Sequence, residues 1–165
     1  ADASLGAGYF MKRLGAVMER DITPDADPEL YRLLSRMHLT EMQAGASAKK
    51  YFHRVRPYQQ FKEQSSTPNY ESATDFTSYP SGHTHISWLV GLTLTAIDPA
   101  HAEQIMKVAY ELGQSRVIVG FHYQSDVDAG RVMGSVTFAR LWADEAFQKM
   151  FEKARREFVR NGKVK

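Results

Sequence analysis

Basic, imidazole and hydroxyl side chains occur in three short segments that could each hold an anion. The first segment contains Lys49 and Arg56, seven residues apart. On one helix they would lie two turns apart on the same face, where two cations can bind an anion together. A solvated helix face also often carries two cations, and cations in a last turn complement the helix dipole. This pair alone therefore leaves both interpretations open.

The second segment, Ser81-Gly82-His83, directly precedes an apolar run. Ser81 is placed to cap a helix, so the amides of Gly82 and His83 would be among its unpaired first-turn donors, a ready site for an anion. Glycine lets a ligand approach the backbone closely, and His83 can exchange a proton near neutral pH. Ordinary turn and cap chemistry is the alternative interpretation.

The third segment contains Arg116, then His122 after five intervening residues, then Asp126 after three more intervening residues. The imidazole and the carboxylate could meet across one helical turn, or Asp126 could fold back from the start of the next helix. Either arrangement fixes the tautomer of His122 and supports its protonated form. Aliphatic neighbours place Arg116 at the edge of a buried region, where a phosphate or a carboxylate could pair with it.

The three segments together predict a shared ligand. Lys49, Arg56 and Arg116 would repel one another if they met without an anion between them. A ligand with at least two negative charges is therefore expected among them.

The other four histidines are expected to play no part in this chemistry. None has a convincing frame of nearby metal-ligating carboxylates, so the site is predicted to be free of metal. We expect surface or packing roles for His38 and His53 within a long helix, a helix-opening position for His101, and for His85 a different helix side from His83.

Composition narrows the class of protein. The chain has 165 residues, with 21 basic and 19 acidic side chains and no cysteine. The lack of cysteine excludes a thiol nucleophile, a zinc ribbon and an iron–sulfur cluster. A net charge of +2 argues against nucleic-acid or membrane-surface binding, and a small-molecule partner is expected.

Membrane and export segments are not expected in this chain. The most apolar stretch, residues 86–97, is well short of the ~20 residues that cross a bilayer. Residues 1–7 lack the basic and apolar regions of a signal peptide, which leaves a signal peptide that has already been removed as the alternative.

Helical spacing of apolar residues predicts an all-α fold, a single-domain helical bundle over residues 1–165 with one long active-site loop. A long helix should run from Pro28 to near Arg56, because the residue before Pro57 is pushed out of the α region. The polar stretch from there to Pro80 is expected to add no core element. Further helices are predicted at 82–97, 99 to about 119, 126 to about 142 with Ser125 as its N-cap, and 145–160.

The order and spacing of the three segments resemble the tripartite signature of the type 2 phosphatidic-acid phosphatase superfamily. They read Lys49-x6-Arg56-Pro57, Pro80-Ser81-Gly82-His83 and Ser115-Arg116-x5-His122-x3-Asp126. The surrounding sequence, from about Asp21 to Phe158, resembles the bacterial class A non-specific acid phosphatases in particular.

The resemblance implies a metal-free acid phosphatase that needs no cofactor. His122 would attack phosphorus to form a phosphohistidine, Asp126 would orient it, and His83 would protonate the leaving alkoxide. An alcohol in place of water would then accept the phosphoryl group. The phosphate-binding residues implied are Lys49, Arg56, Ser81, Gly82 and Arg116.

The same resemblance implies partners and location. Substrates would be small phosphate monoesters, phosphate or vanadate would inhibit, and the protein would be periplasmic or secreted; self-association stays open. Class A members have N-terminal helices and cysteines that this chain lacks, which indicates a fragment, a processed form or a shortened relative. Alternatives are a lipid-phosphate phosphatase, a vanadate-dependent haloperoxidase, and a non-catalytic phosphate-binding module.

Overall fold

The computed structural model describes residues 7–162 and contains seven α-helices within them. They are α1 (Ala7–Val17), α2 (Pro28–Phe52), α3 (Pro57–Phe61), α4 (Gly82–Ile97), α5 (Ala102–Ile118), α6 (Gln124–Trp142) and α7 (Glu145–Gly162). That part of the chain has no strand, only an isolated bridge between Arg54 and Thr77. The predicted all-α class is confirmed. None of these helices is long and apolar enough to cross a membrane.

Helix α4 is the central helix, and it packs most closely against α5 and α6. A Cβ atom on Gly113 of α5 or Gly130 of α6 would lie 2.7 Å from the side chain of Thr84 in α4. Only glycine allows both helices to approach this closely. The close approach brings the C-terminal end of α5 and the start of α6 to the first turn of α4.

Helix α1 lies before the first predicted element. Phe10, Met11 and Leu14 of α1, with Met18 directly after the helix, are all nearly fully buried in the main core. Burying a side chain of this kind contributes about 1.5–3 kcal/mol. Their spacing is that of one helix face, so the sequence contained a signal that the prediction omitted.

The long helix α2 ends at Phe52, not near Arg56 as predicted. His53 adopts a left-handed backbone conformation with φ of 44° and donates its N–H to the Lys49 carbonyl at 3.1 Å. Arg56 is extended, as the following proline requires. The predictions that Lys49 and Arg56 share one helix face, and that His53 lies within the helix, are therefore wrong.

The polar stretch after Arg56 is more structured than predicted. Residues Pro57–Phe61 form α3, and Pro68–Tyr70 form a turn of 3-10 helix. Tyr58 is buried and forms a small second cluster with Val119 and Phe121. The expectation that this stretch adds nothing to the core is wrong at Tyr58. Its ring packs against residues about 60 positions away in the sequence, a contact that local composition does not reveal.

Other helix boundaries shift by a few residues. Pro99 opens a 3-10 turn, so α5 itself begins at Ala102. Helix α6 begins at Gln124 with Tyr123 as its N-cap, not at Asp126 after Ser125. Asp126 is thus the third residue of the helix, and its carboxylate accepts the N–H of Tyr123 at 3.0 Å, as in a capping box.

Helix α7 holds the start of α2. The buried carboxylate of Glu157 accepts the backbone N–H groups of Glu29 and Leu30 at 2.9 and 3.0 Å. These are first-turn donors, which have no acceptor within their own helix. A side chain from the last described helix therefore replaces a local cap on the helix that carries Lys49.

Candidate active site

A cavity of about 230 Å³ lies between the C-terminal half of α2 and the first turn of α4. It brings together five of the predicted site residues, one or more from each segment: Lys49, Arg56, Gly82, His83 and His122. The rest of its wall consists of Phe10, His38, Glu41, Thr77 and Ile86. The remaining predicted residues, Ser81, Arg116 and Asp126, are buried next to these side chains.

The imidazole of His122 is held in one tautomer by its two partners. Its Nδ1 lies 2.8 Å from the Ser78 carbonyl, which can only accept, so Nδ1 carries the hydrogen. Its Nε2 lies 2.9 Å from Nη1 of Arg56, which can only donate, so Nε2 carries the lone pair. Burial lowers the pKa of His122 to about 4. A neutral imidazole with a nucleophilic Nε2 therefore faces the cavity.

Asp126 reaches His122 by folding back from the first turn of α6, the second of the two arrangements that the sequence left open. Its Oδ2 lies 3.4 Å from Nδ1 of His122 and accepts the Ser78 hydroxyl at 2.6 Å. Burial alone would raise the pKa of Asp126, but the hydrogen bonds from His122, Ser78 and the Tyr123 amide lower it below its ordinary value. The group behind the imidazole is thus a carboxylate, placed to stabilise positive charge on it.

Arg54 is a site residue that the sequence analysis missed. Its Nη1 donates to Oδ1 of Asp126 at 2.6 Å and to the Ser125 hydroxyl at 2.8 Å. Its guanidinium also stacks 4.0 Å from the centre of the Tyr123 ring. The available signal was its position two residues before Arg56 in an extended segment, which puts both side chains on one side.

Lys49 and Arg56 reach the cavity although they do not share a helix. Lys49 donates to the carbonyls of Thr77 and Pro80, each at 2.7 Å. Burial and the charge of Arg56 lower the pKa of Lys49 to about 8. Arg56 is anchored by Asp75 at 2.7 Å, a second residue that the sequence analysis missed. The loop before α4 thus supplies the acceptors that orient both cations.

Arg116 is buried and has no charged partner among residues 7–162. It is 3% exposed, and its guanidinium forms no hydrogen bond or ion pair with any residue that the structure describes. Burial, followed by repulsion from Arg56, lowers its pKa to about 10. Since a buried charge without a partner is costly, this side chain favours an anionic ligand. The alternative of Arg116 paired with a carboxylate does not occur in the described part of the chain.

His83 also has a buried polar atom that no described residue satisfies. Its Nε2 is buried and has no hydrogen-bond partner among residues 7–162. Burial, with repulsion from Arg116 as the next contribution, lowers the pKa of His83 to about 3. A bound dianion would oppose both effects, because it favours the charged imidazolium.

The first turn of α4 presents further donors. Ser81 is the N-cap, as predicted, and its hydroxyl oxygen accepts from the amide and the hydroxyl of Thr84 at 3.3 and 2.9 Å. The amides of Gly82 and His83 have no acceptor within the helix. The first turn of α4 and the cations Lys49 and Arg56 therefore place their donors around one cavity.

Two further histidines line or border the cavity beside Glu41, which the sequence analysis did not single out. Nδ1 of His38 and Nδ1 of His85 each lie 3.8 Å from a carboxyl oxygen of Glu41. His85 also lies 2.9 Å from the Thr137 hydroxyl. The described residues contain no group of three or more side chains that could hold a metal ion. Independence from metals stays a prediction.

Known proteins resemble this chain over most of its length. The profile of the PAP2 superfamily matches residues 30–149. Non-specific acid phosphatases from Providencia stuartii and Salmonella typhi are 39% and 40% identical to the chain over 161 and 158 residues, which is 96% and 94% of this chain. An acid phosphatase from Zymomonas mobilis is 37% identical over 157 residues, or 94% of this chain. The aligned regions cover 65%, 63% and 60% of these relatives, so the chain spans less than two thirds of their length.

Proposed function

The chain belongs to the PAP2 superfamily, and from that premise we propose that it is a metal-independent acid phosphatase acting on small phosphate monoesters through a phosphohistidine. The observation that carries the proposal is the neutral His122, whose Nε2 lone pair faces a cavity rich in cations. The acid phosphatases among its relatives support the same reaction class.

Substrate binding uses the positive charges that line the cavity. The phosphoryl oxygens accept hydrogen bonds from the side chains or amides of Lys49, Arg56, Arg116, Ser81 and Gly82. Phosphoryl transfer depends mainly on positioning and on donors aimed at these oxygens. The contact between Arg56 and His122 opens as the phosphoryl group enters, which frees the Nε2 lone pair.

In the first step, Nε2 of His122 attacks phosphorus while the ester P–O bond breaks. The leaving oxygen takes a proton from His83, whose pKa rises when the dianion binds. The imidazole becomes a phosphorylated imidazolium, and the Asp126 carboxylate and the Ser78 carbonyl stabilise the positive charge next to Nδ1.

In the second step, neutral His83 accepts a proton from water, and the water oxygen attacks phosphorus. The P–N bond breaks, inorganic phosphate forms and His122 returns to its neutral state. An alcohol bound in place of water would receive the phosphoryl group instead.

Hydrolysis of nitrophenyl phosphate at acid pH with excess chelator tests the proposed function. We expect turnover to survive chelation and to be inhibited competitively by vanadate. Arg116→Ala should lower kcat by roughly 10²–10³-fold, since it removes a donor to the transition state. Arg155→Ala on the exposed face of α7 is the matched control and should change little. Activity that disappears with chelation and returns with a divalent ion would contradict the proposal.

Arg54 is expected to act as a positioning residue, because its bond to Asp126 fixes the carboxylate behind His122. Arg54→Ala should lower kcat by roughly 10²-fold through misplacement of the nucleophile, with KM little changed. Arg54→Lys keeps the charge and should recover part of the loss. Steady-state kinetics of both variants provide the measurement, and a rise in KM with unchanged kcat would instead assign Arg54 to substrate binding.

The finer points of location and assembly rest on the resemblance. A periplasmic or secreted location, one domain over residues 1–165 and binding of free phosphate remain predictions. Sedimentation of the purified chain would determine whether it self-associates.

A further inference from the structure

Glu41 is a buried carboxyl in the wall of the phosphate cavity. It is 6% exposed and lies two helical turns before Lys49 on α2. Its Oε1 lies 3.0 Å from the position that a Cβ atom on Gly82 would occupy. The carboxyl therefore rests against the first turn of α4, where the proposed function places the phosphoryl group.

No ion pair with a permanent cation neutralises this carboxyl among the described residues. Its closest charged or titratable neighbours are two imidazoles at 3.8 Å. The ammonium of Lys49 is directed to the carbonyls of Thr77 and Pro80. The titratable groups that face Glu41 or share its cavity are His38 and Lys49 from α2, Arg56 from the segment after α2, His83 and His85 from α4, and His122 from the turn before α6.

The protonation state of Glu41 decides its effect on a bound phosphoryl group. A protonated carboxyl can donate a hydrogen bond to a phosphoryl oxygen, whereas a carboxylate at the same place repels a dianion. Burial raises the pKa of Glu41 to about 7, with Lys49 opposing the shift. Burial also lowers the pKa of His85 to about 4, so this neighbour stays neutral while Glu41 titrates.

We propose that Glu41 is a further phosphate-binding residue, which favours the phosphoryl group while it carries its proton and repels it once ionised. The proposal rests on the proposed function and assigns part of the acid preference to the protein rather than to the substrate. By linkage, each unit by which bound phosphate raises the Glu41 pKa corresponds to about tenfold weaker binding to the ionised form.

The test compares inorganic phosphate binding by the wild-type chain and Glu41→Gln at about pH 5.5 and about pH 8.5, on either side of the titration. Comparing two chains at the same pH cancels the titration of phosphate itself. We expect similar dissociation constants at the acid pH and about tenfold tighter binding by Glu41→Gln at the alkaline pH. The alkaline fall of kcat/KM should also move upward, toward the pH at which Lys49 loses its proton.

Two further variants sharpen the test. Glu41→Met removes both the donor and the charge, so it should bind phosphate more weakly than wild type at acid pH and more tightly at alkaline pH. It also provides a second readout if Glu41→Gln does not fold. Glu29→Gln, at the far end of α2, is the matched control and should follow wild type at both pH values.

The outcomes separate this inference from the proposed function. A ratio of dissociation constants that is the same at both pH values, in a chain that binds phosphate and turns over monoesters, overturns the role of Glu41 alone. A wild-type chain that neither binds phosphate nor hydrolyses monoesters overturns both proposals.

Discussion

We expect His122→Ala to lower kcat for every phosphate monoester by roughly 10⁴-fold or more, because the variant has no side chain able to form the covalent intermediate. No other histidine among residues 7–162 is placed to take over the role of His122. Arg56 and Ser78 hold its two ring nitrogens in opposite roles, and no other imidazole of the described chain has such a pair of partners. Water could attack phosphorus directly in place of the His122 Nε2 only if a second base deprotonated it.

Rapid quench of the wild-type chain with labelled substrate should trap a phosphoenzyme that is labile in acid and stable in base. His122→Ala should give no such species. His101→Ala is the matched control, since His101 is partly exposed and pairs with Asp98 at 2.7 Å outside the cavity. Near-normal turnover by His122→Ala would assign the nucleophile to another residue.

The second large effect concerns His83, and it should depend on the leaving group. His83→Asn keeps some hydrogen bonding but cannot donate a proton, so alkyl phosphates should lose roughly 10²–10⁴-fold in rate. A nitrophenyl phosphate releases a phenolate that is already stable and should lose much less in the phosphorylation step. Single-turnover release of the first product measures that step, because the same side chain also activates water in the second.

Equal losses for the alkyl and the nitrophenyl substrates would mean that His83 only binds the phosphoryl group. The orphaned Nε2 of His83 would then be explained as a phosphate ligand, and the acid would have to be sought elsewhere. The pH dependence of the wild-type rate tests whether bound substrate raises the pKa of His83. If the rate of the wild-type chain follows a group with a pKa of about 3, the value to which burial lowers the pKa of His83, then bound substrate does not raise that pKa as the mechanism requires.

The sequence was sufficient for those parts of the site that depend on local rules. Ser81 is the N-cap of α4 because a hydroxyl before an apolar helix satisfies its first-turn amides. The pre-proline position of Arg56 is extended for steric reasons that any sequence shows. The three anion-binding segments predicted a shared site, and the cavity contains at least one residue from each.

Other features depend on tertiary contacts that spacing does not reveal. The end of α2 is set by His53, which adopts a left-handed conformation that favours glycine and stacks at 4.3 Å on Phe76, far along the chain. Arg54 and Glu41 carry no motif of their own. Arg54 matters because Asp126 folds back to it, and Glu41 because Gly82 has no side chain to exclude it.

The Glu157 carboxylate accepts two backbone amides at the start of α2, so hydrogen exchange at these amides depends on whether α7 stays packed in place. The N–H groups of Glu29 and Leu30 would exchange with solvent deuterium within moments at an open helix start, but their acceptor lies 128 and 127 residues away on α7. Exchange at these two positions then requires α7 to detach, whereas the middle of α4 exchanges only when the core opens. Their protection factors therefore measure the free energy of a local opening, and Glu157→Gln should accelerate them while the amides of α4 stay slow.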